Sequence, residues 1–332
     1  MPVRDIDFLT STMTVRALER TLFDRERTAR LCDARSDEEV LRLLAECGYE
    51  LSGALTAGGL YEALSATRTA LYATLRDWLP DEAAAILDVF RIQADYHNVK
   101  VLIKTDGEKD QRLLLNIGRV PAGEMAEIAR EAAFSRLPGA LGDAARSARE
   151  TLARTDDPQL SDFLLDRACL REMLAAADAS QSVYLLGYVK IYIDSYNLRS
   201  LVRATRIGKG PDFLRLVLAP GGSVEPSRIA AALQGGGSLE ELFAGGPLAA
   251  AAAAGVPAAK GEGSLTAFEK QCDDALMQYA RKARAVPFGE APLIGYLLEK
   301  EAEMTMLRTV VGGRLGGVPV HQIRERLRAA YV

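Results

Sequence analysis

The stretch Asp95-Tyr96-His97-Asn98-Val99-Lys100 returns as Asp194-Ser195-Tyr196-Asn197-Leu198-Arg199, and in altered form as Glu303-Met304-Thr305-Met306-Leu307-Arg308. In each copy an acid is followed three residues on by Asn or Met, then by an aliphatic and a basic residue. The acids lie 99 and 109 residues apart. Internal self-similarity constrains a fold more than a single motif does, because every copy has to be the same packing unit. A three-part repeat points to a ring-like or funnel-like frame rather than to a catalytic cleft.

Around each copy the same parts recur in the same order. A short helix comes first: Ser36-Asp37-Glu38-Glu39 opens one at Val40 as a capping box, Val120-Pro121 opens one at Met125, and Val224-Glu225-Pro226-Ser227 opens one at Arg228. A longer helix follows, over Leu64–Trp78, Gly142–Arg154 and Ala267–Arg284. Then comes the helix that carries the signature, over Ala83–Lys104, Val183–Arg206 and Ala291–Val311. The breaks between them, Leu79-Pro80-Asp81, Thr155-Asp156-Asp157-Pro158 and Val286-Pro287-Phe288-Gly289, are helix stops and restarts. Ala, Leu, Arg and Glu dominate and alternating β-branched runs are scarce, so the fold class is all-α. Three related helical repeats are expected at 1–118, 119–223 and 224–332. The Gly/Ala-rich run from Gly235 to Gly263 departs from this order and reads as a flexible surface connection.

Helical positions i, i+3, i+4 and i+7 share a face. Asp95, Asn98, Val99 and Leu102 form one stripe, as do Asp194, Asn197, Leu198 and Leu201, and Glu303, Met306, Leu307 and Val310. Arg91 before Asp95, Lys190 before Asp194 and Lys300 before Glu303 offer ion pairs, each worth about 0.3–0.5 kcal/mol if exposed. One acid taken alone does not separate a framework residue from an ordinary polar position on an amphipathic helix. The same acid in three copies reads as a framework residue that ties each helix to the next repeat around a closed ring. On the second signature helix Tyr184, Tyr188, Tyr192 and Tyr196 form a stripe whose hydroxyls need partners or a wet edge.

Composition excludes several classes. Of 332 residues 48% are hydrophobic and 26% charged, as in a packed protein. A net charge of −4 supplies no basic field for nucleic acid or anionic lipid. No run approaches the ~20 apolar residues of a membrane span. Met1–Leu9 carries Arg4, Asp5 and Asp7 and does not read as a secretory signal, so a cytoplasmic location is expected. Cys32, Cys47, Cys169 and Cys272 are scattered and His97 and His321 are the two histidines, so no metal site or other cofactor is indicated. Gly312-Gly313-Arg314-Leu315-Gly316-Gly317 follows a helical run instead of a strand, which fits a helix end better than a nucleotide loop. Ile207-Gly208-Lys209-Gly210 lacks the spacing of a P-loop. Neither histidine has the setting of a general base, and an enzyme is not expected.

Taken together, Asp95–Lys104, the run Tyr188–Ala204 (Tyr-x-Asp-x-Tyr-Asn-Leu-Arg-x-Leu-Val-Arg) and Pro292–Val311 (Leu-x-x-Lys-Glu-x-Glu) resemble a family of central-stalk proteins of V-type and archaeal-type rotary ATPases. That family is the C-type subunit of the prokaryotic complexes and the d-type subunit of the eukaryotic ones. The likeness runs from Val15-Arg16-Ala17 to the Arg324–Tyr331 helix. It implies an all-α funnel of pseudo-three-fold symmetry with no catalytic residues of its own, peripheral to the membrane within a membrane-bound complex. The partners implied are the proteolipid ring of the membrane sector, which such a protein caps, and the central shaft subunits of D and F type. Asp95, Asn98, Asp194, Asn197 and Glu303 would form the repeat framework, and Tyr188, Tyr192, Arg199 and Arg203 the shaft-facing wall. The alternative is a helical-repeat scaffold for peptide or helical partners, but such repeats have shorter periods of about 34–47 residues.

Overall fold

Short polar side chains set where the helices begin. Asp24, Ser36, Thr56, Asp157, Ser182, Ser238 and Ser264 each accept a hydrogen bond from a backbone N–H of the first turn that has no helical partner. The computed structural model describes residues 5–105, 113–232 and 238–327, all helix, turn or irregular chain with no strand among them. The all-α expectation holds. Contacts divide the chain into two compact units, residues 1–82 with 264–332, and residues 83–263.

The first unit opens with α1 (Leu9–Leu18), α2 (Arg25–Asp33), α3 (Asp37–Glu46) and α4 (Ala57–Trp78). The second holds α5 (Ala85–Lys104), α6 (Ala122–Arg130), α7 (Gly139–Thr155), α8 (Pro158–Ala179), α9 (Val183–Arg206), α10 (Pro211–Val217), α11 (Pro226–Ala232), α12 (Leu239–Leu242) and α13 (Ala249–Lys260). The chain then returns to the first unit as α14 (Leu265–Arg281), α15 (Glu290–Leu315) and α16 (Val320–Arg326). The signature helices α5, α9 and α15 are apolar on most sides, which is the pattern of a helix buried all round. In the first unit α15 is the core, packed by α1, α4 and α14. In the second, α8 lies against both α5 and α9.

Several expectations are corrected. The 22-residue helix α8 is absent from the expected order: Asp157-Pro158, read as a break, is its cap and first residue, and Ser161, Leu165, Cys169, Met173 and Ala177 form its buried stripe. Ala249–Lys260 is not a flexible connection. It is the helix α13, which buries Ala251, Ala252, Gly255 and Ala258 and packs on α9. Small residues let the two backbones approach, and Arg206 of α9 donates to the Ala258 carbonyl at 2.9 Å, closing the helix end. Gly235–Gly237 and Met1–Arg4 lie outside the described residues, as do residues 328–331 of the helix expected over Arg324–Tyr331, whose described part ends at Arg326. The capping box at Ser36 is half formed: Ser36 Oγ accepts from the Glu39 amide, but the Glu39 carboxylate accepts from the Arg35 amide instead. The complete box is at Ser238 and Glu241. The glycine-rich ends match expectation, with Gly208 and Gly317 in the left-handed region after α9 and α15.

Candidate functional site

The residues of the repeated signature do the same work in two copies. On α5, Asn98 meets Leu115 twice: its amide nitrogen donates to the Leu115 carbonyl at 2.9 Å, and its oxygen accepts from the Leu115 amide at 2.7 Å. One turn away, Asp95 accepts from the Val120 amide at 3.2 Å and from Arg119 Nε at 2.7 Å. On α9, Asn197 makes the same pair with Ala219, at 2.8 Å each way, and Asp194 accepts from the amides of Ser223 at 2.8 Å and Val224 at 3.2 Å. Each clip grips its loop at both ends, Leu115 and Val120 in one case, Ala219 and Val224 in the other, and both loops lead into a short helix, α6 or α11. Asp95 and Asn98 are fully buried, as is Asn197, while Asp194 is 4% exposed. The Val120, Ala219 and Val224 groups held this way lie on buried residues and would otherwise have no partner.

The loops carry a matching glycine. A Cβ on Gly118 would strike the Asp95 carboxylate, and one on Gly222 would strike that of Asp194. The sequence therefore holds a second echo beyond the signature, Gly118-Arg119-Val120-Pro121 against Gly222-Ser223-Val224-Glu225-Pro226. Its glycine-to-valine spacing is the signal that could have found it. Arg119 and Glu172 also escape sequence reasoning. Arg119 bridges Asp95 to Glu172 at 2.6 Å, and Glu172 also accepts from the Tyr96 hydroxyl at 2.9 Å.

The expected i,i+4 pair of Arg91 with Asp95 does not form. Arg91 pairs with Asp88 at 3.1 Å and donates to the carbonyls of Ile117 and Gly118, so it supports the same loop from its other side. The third pair does form: Lys300 reaches Glu303 at 2.5 Å, with both residues buried.

The third copy holds a different partner. Glu303 on α15 accepts from the Phe23 amide and the Tyr49 hydroxyl, each at 2.5 Å. Lys300 Nζ also lies 4.3 Å from the centroid of the Tyr49 ring. Phe23 precedes α2 as Val120 precedes α6 and Val224 precedes α11, so the last signature helix fastens the first loop of the chain. Arg16 reinforces the join by donating to the Ala283 and Val286 carbonyls, at 2.8 Å each. Where the other copies have Asn, Met306 is fully buried. The preceding segment, Glu19–Thr21, is a 3-10 turn in which the Leu22 amide donates to the Glu19 carbonyl, and Arg27 donates to the Arg20 and Leu22 carbonyls.

Burial pushes the Asp95 and Asp194 carboxyls above the ordinary range, against the pull of their donors: Arg119 and the Val120 amide for Asp95, the Ser223 and Val224 amides for Asp194. Burial and the neighbouring Glu303 push the Tyr49 hydroxyl up strongly. These carboxylates have their oxygens engaged by backbone, arginine, lysine or tyrosine donors, an arrangement built to hold a loop rather than to exchange a proton. Among the described residues no cluster of His, Cys, Asp or Glu could hold a metal ion, and no helix is long and apolar enough to cross a membrane. The four cysteines are buried and form no disulfide.

Tyr188, Tyr192, Arg199 and Arg203 share one stripe of α9, about 22 Å from end to end at about 1.5 Å per residue. Tyr188 is buried, with its ring 6.1 Å from Phe90 and 6.2 Å from Tyr192. Tyr192 and Arg199 are half-buried and Arg203 is exposed, so the outer part of the stripe remains accessible.

A described core built wholly of helices, with a loop clip repeated on two of them, defines an all-helical repeat protein. Residues 13–326 match the family model of the ATP synthase (C/AC39) subunit, and the chain belongs to that family. It is 24% identical to the C subunit of the A-type ATP synthase of Methanocaldococcus jannaschii, over 94% of this chain and 84% of that protein. It is 25% identical to the C subunit of the V-type ATP synthase of Thermus thermophilus, over 87% of this chain and 88% of the relative. The C subunit of the V-type sodium ATPase of Enterococcus hirae is 23% identical over 81% of each chain.

Proposed function

We propose that this chain is the non-catalytic central-stalk subunit of a V/A-type rotary ATPase. In this reading it is a funnel of three helical repeats in pseudo-three-fold arrangement, with boundaries near residues 118 and 223. It caps the cytoplasmic side of the proteolipid ring and receives the central shaft of D- and F-type subunits. Torque then passes between the membrane sector and the ATP-hydrolysing head, for proton or sodium transport linked to ATP synthesis or hydrolysis.

One observation carries the reading. Asp95 and Asp194 each hold the loop that follows their own helix, whereas Glu303 holds Phe23, 280 residues back. A linear array has no use for a bond from its last unit to its first, whereas a closed cycle of repeats requires one. A closed frame suits a ring of identical membrane subunits, and the framework role of Asp95, Asn98, Asp194, Asn197 and Glu303 follows from it. The accessible stripe of Tyr192, Arg199 and Arg203, backed by Tyr188, supplies the aromatic and arginine anchors that a shaft-facing wall needs. Pull-down of the tagged chain from detergent-solubilised membranes should recover both proteolipid and shaft subunits. Recovery of neither overturns the proposal.

A further inference from the structure

Resting on the reading just given, we infer that the inexact third copy forms a docking pocket, for a shaft segment that sets an apolar side chain beside a carboxylate. In the first two copies the asparagine draws the loop backbone onto the signature helix. In the third the chain turns away in the Glu19–Thr21 3-10 helix, and a cleft of about 360 Å3 lies beside Glu303. Leu22, Phe23 and Met277 supply an apolar floor, and Arg20 and Arg25 stand at the mouth. The volume is at the small end of the ~300–1,000 Å3 of ligand pockets, enough for one or two anchoring side chains.

Charge selects the occupant. Every acid lining the cleft already has a partner: Glu19 pairs with Arg16, Asp24 caps α2, Glu299 takes Arg284 through both oxygens, and Glu303 holds Phe23, Tyr49 and Lys300. Arg20 and Arg25 have no acidic partner among the described residues, and both are exposed. Asp24 caps α2 through a neutral amide and keeps its charge, so two arginines face one carboxylate at the mouth, a net basic rim over an apolar floor that fits an anchor residue flanked by Asp or Glu.

Three full-length variants test this against the purified complex of the two shaft subunits from the same organism, by calorimetry, with helicity and melting checked first. They are Arg20→Glu/Arg25→Glu, Met277→Trp, which fills the floor, and Lys270→Glu/Arg308→Glu, which makes the same charge change elsewhere in the unit. The first two should each weaken binding by about tenfold or more, the arginine pair with a shallower salt dependence, and the third should stay within about twofold. If the native chain binds but the arginine pair and Met277→Trp bind as well as it does, the pocket is refuted while the stalk reading stands. Equal weakening by Lys270→Glu/Arg308→Glu also refutes it, as general charge attraction. If the native chain does not bind the shaft, both fall.

Discussion

Replacing Asn197 with alanine is the most direct test of the clip. The side chain is fully buried and makes two 2.8 Å bonds to Ala219, which is itself buried. Truncation leaves one N–H and one C=O without a partner, at a cost of about 1–3 kcal/mol for each buried orphan. A water entering the space recovers part of that, so a net loss of about 2–5 kcal/mol is expected. In urea, with a slope of about 2 kcal/mol/M, the midpoint of the transition that reports on residues 83–263 should fall by about 1–2.5 M. Amide hydrogen exchange gives the local readout: Ala219 should lose protection first, followed by Ser223 and Val224, while the core of α9 keeps its own. Asn98→Ala should behave in the same way through Leu115. A loss below about 1 kcal/mol with Ala219 still protected would refute the argument, because the loop would then be held by packing and not by the clip.

Three further outcomes follow from the same geometry. Gly118→Ala and Gly222→Ala should each destabilise by about 2 kcal/mol or more, through collision with the buried Asp95 and Asp194 carboxylates, whereas Gly123→Ala on α6, facing open space, should be neutral or stabilising by up to about 1 kcal/mol; thermal melts of the three variants separate the cases. Lys300→Met leaves Glu303 as a buried carboxylate without its cation and should cost about 3–5 kcal/mol, and Tyr49→Phe about 1.5–3 kcal/mol, both read by chemical denaturation of residues 1–82 with 264–332. The Asp194 carboxyl titrates above its unfolded range, so the folded state binds its proton more readily: its contribution favours the native chain at acid pH and is lost as pH rises through the folded value. Asp194→Asn should therefore flatten the pH dependence of stability on the acid side of neutrality, and a slope equal to that of the native chain would count against the burial argument.

The long amphipathic helices were legible because period and cap agree. Ser182 starts α9 and Arg206 ends it, the bounds expected from sequence. The signature stripes were legible too, since an Asp and an Asn among aliphatic residues on a buried face have to find partners. Their partners were not, because nothing local to Asp194 points to residues 223 and 224. Helix α13 was hidden for a different reason. Alanine has the highest helix propensity, but a run of alanine and glycine gives no contrast between an apolar and a polar face, so the run reads as a linker. Only the contact with α9 shows that small side chains were needed for close approach. Helix α8 was hidden because Asp-Pro marks a helix start as readily as a stop.

The departure of the third copy follows from what its loop has become. Asp95 and Asp194 hold loops that run through turns and bends, and the acid with its neighbouring amide takes the Val120, Ser223 and Val224 amides and the Leu115 and Ala219 groups that these loops present. Once the equivalent segment coils into the 3-10 turn Glu19–Thr21, the Leu22 amide pairs with Glu19 and Arg27 takes the Arg20 and Leu22 carbonyls, so these groups are met without an Asn. A polar amide left in that buried place would cost stability, and Met306 fills it with apolar volume. The acid persists because the Phe23 amide still needs a partner, and glutamate has one more methylene with which to reach it. That carboxylate meets the Phe23 amide alone where Asp194 meets two amides, and Lys300 and Tyr49 complete its shell as Arg119 does for Asp95. The substitutions of Asp by Glu and Asn by Met are thus one change and not two, and either reversed alone should be worse than both left as they are.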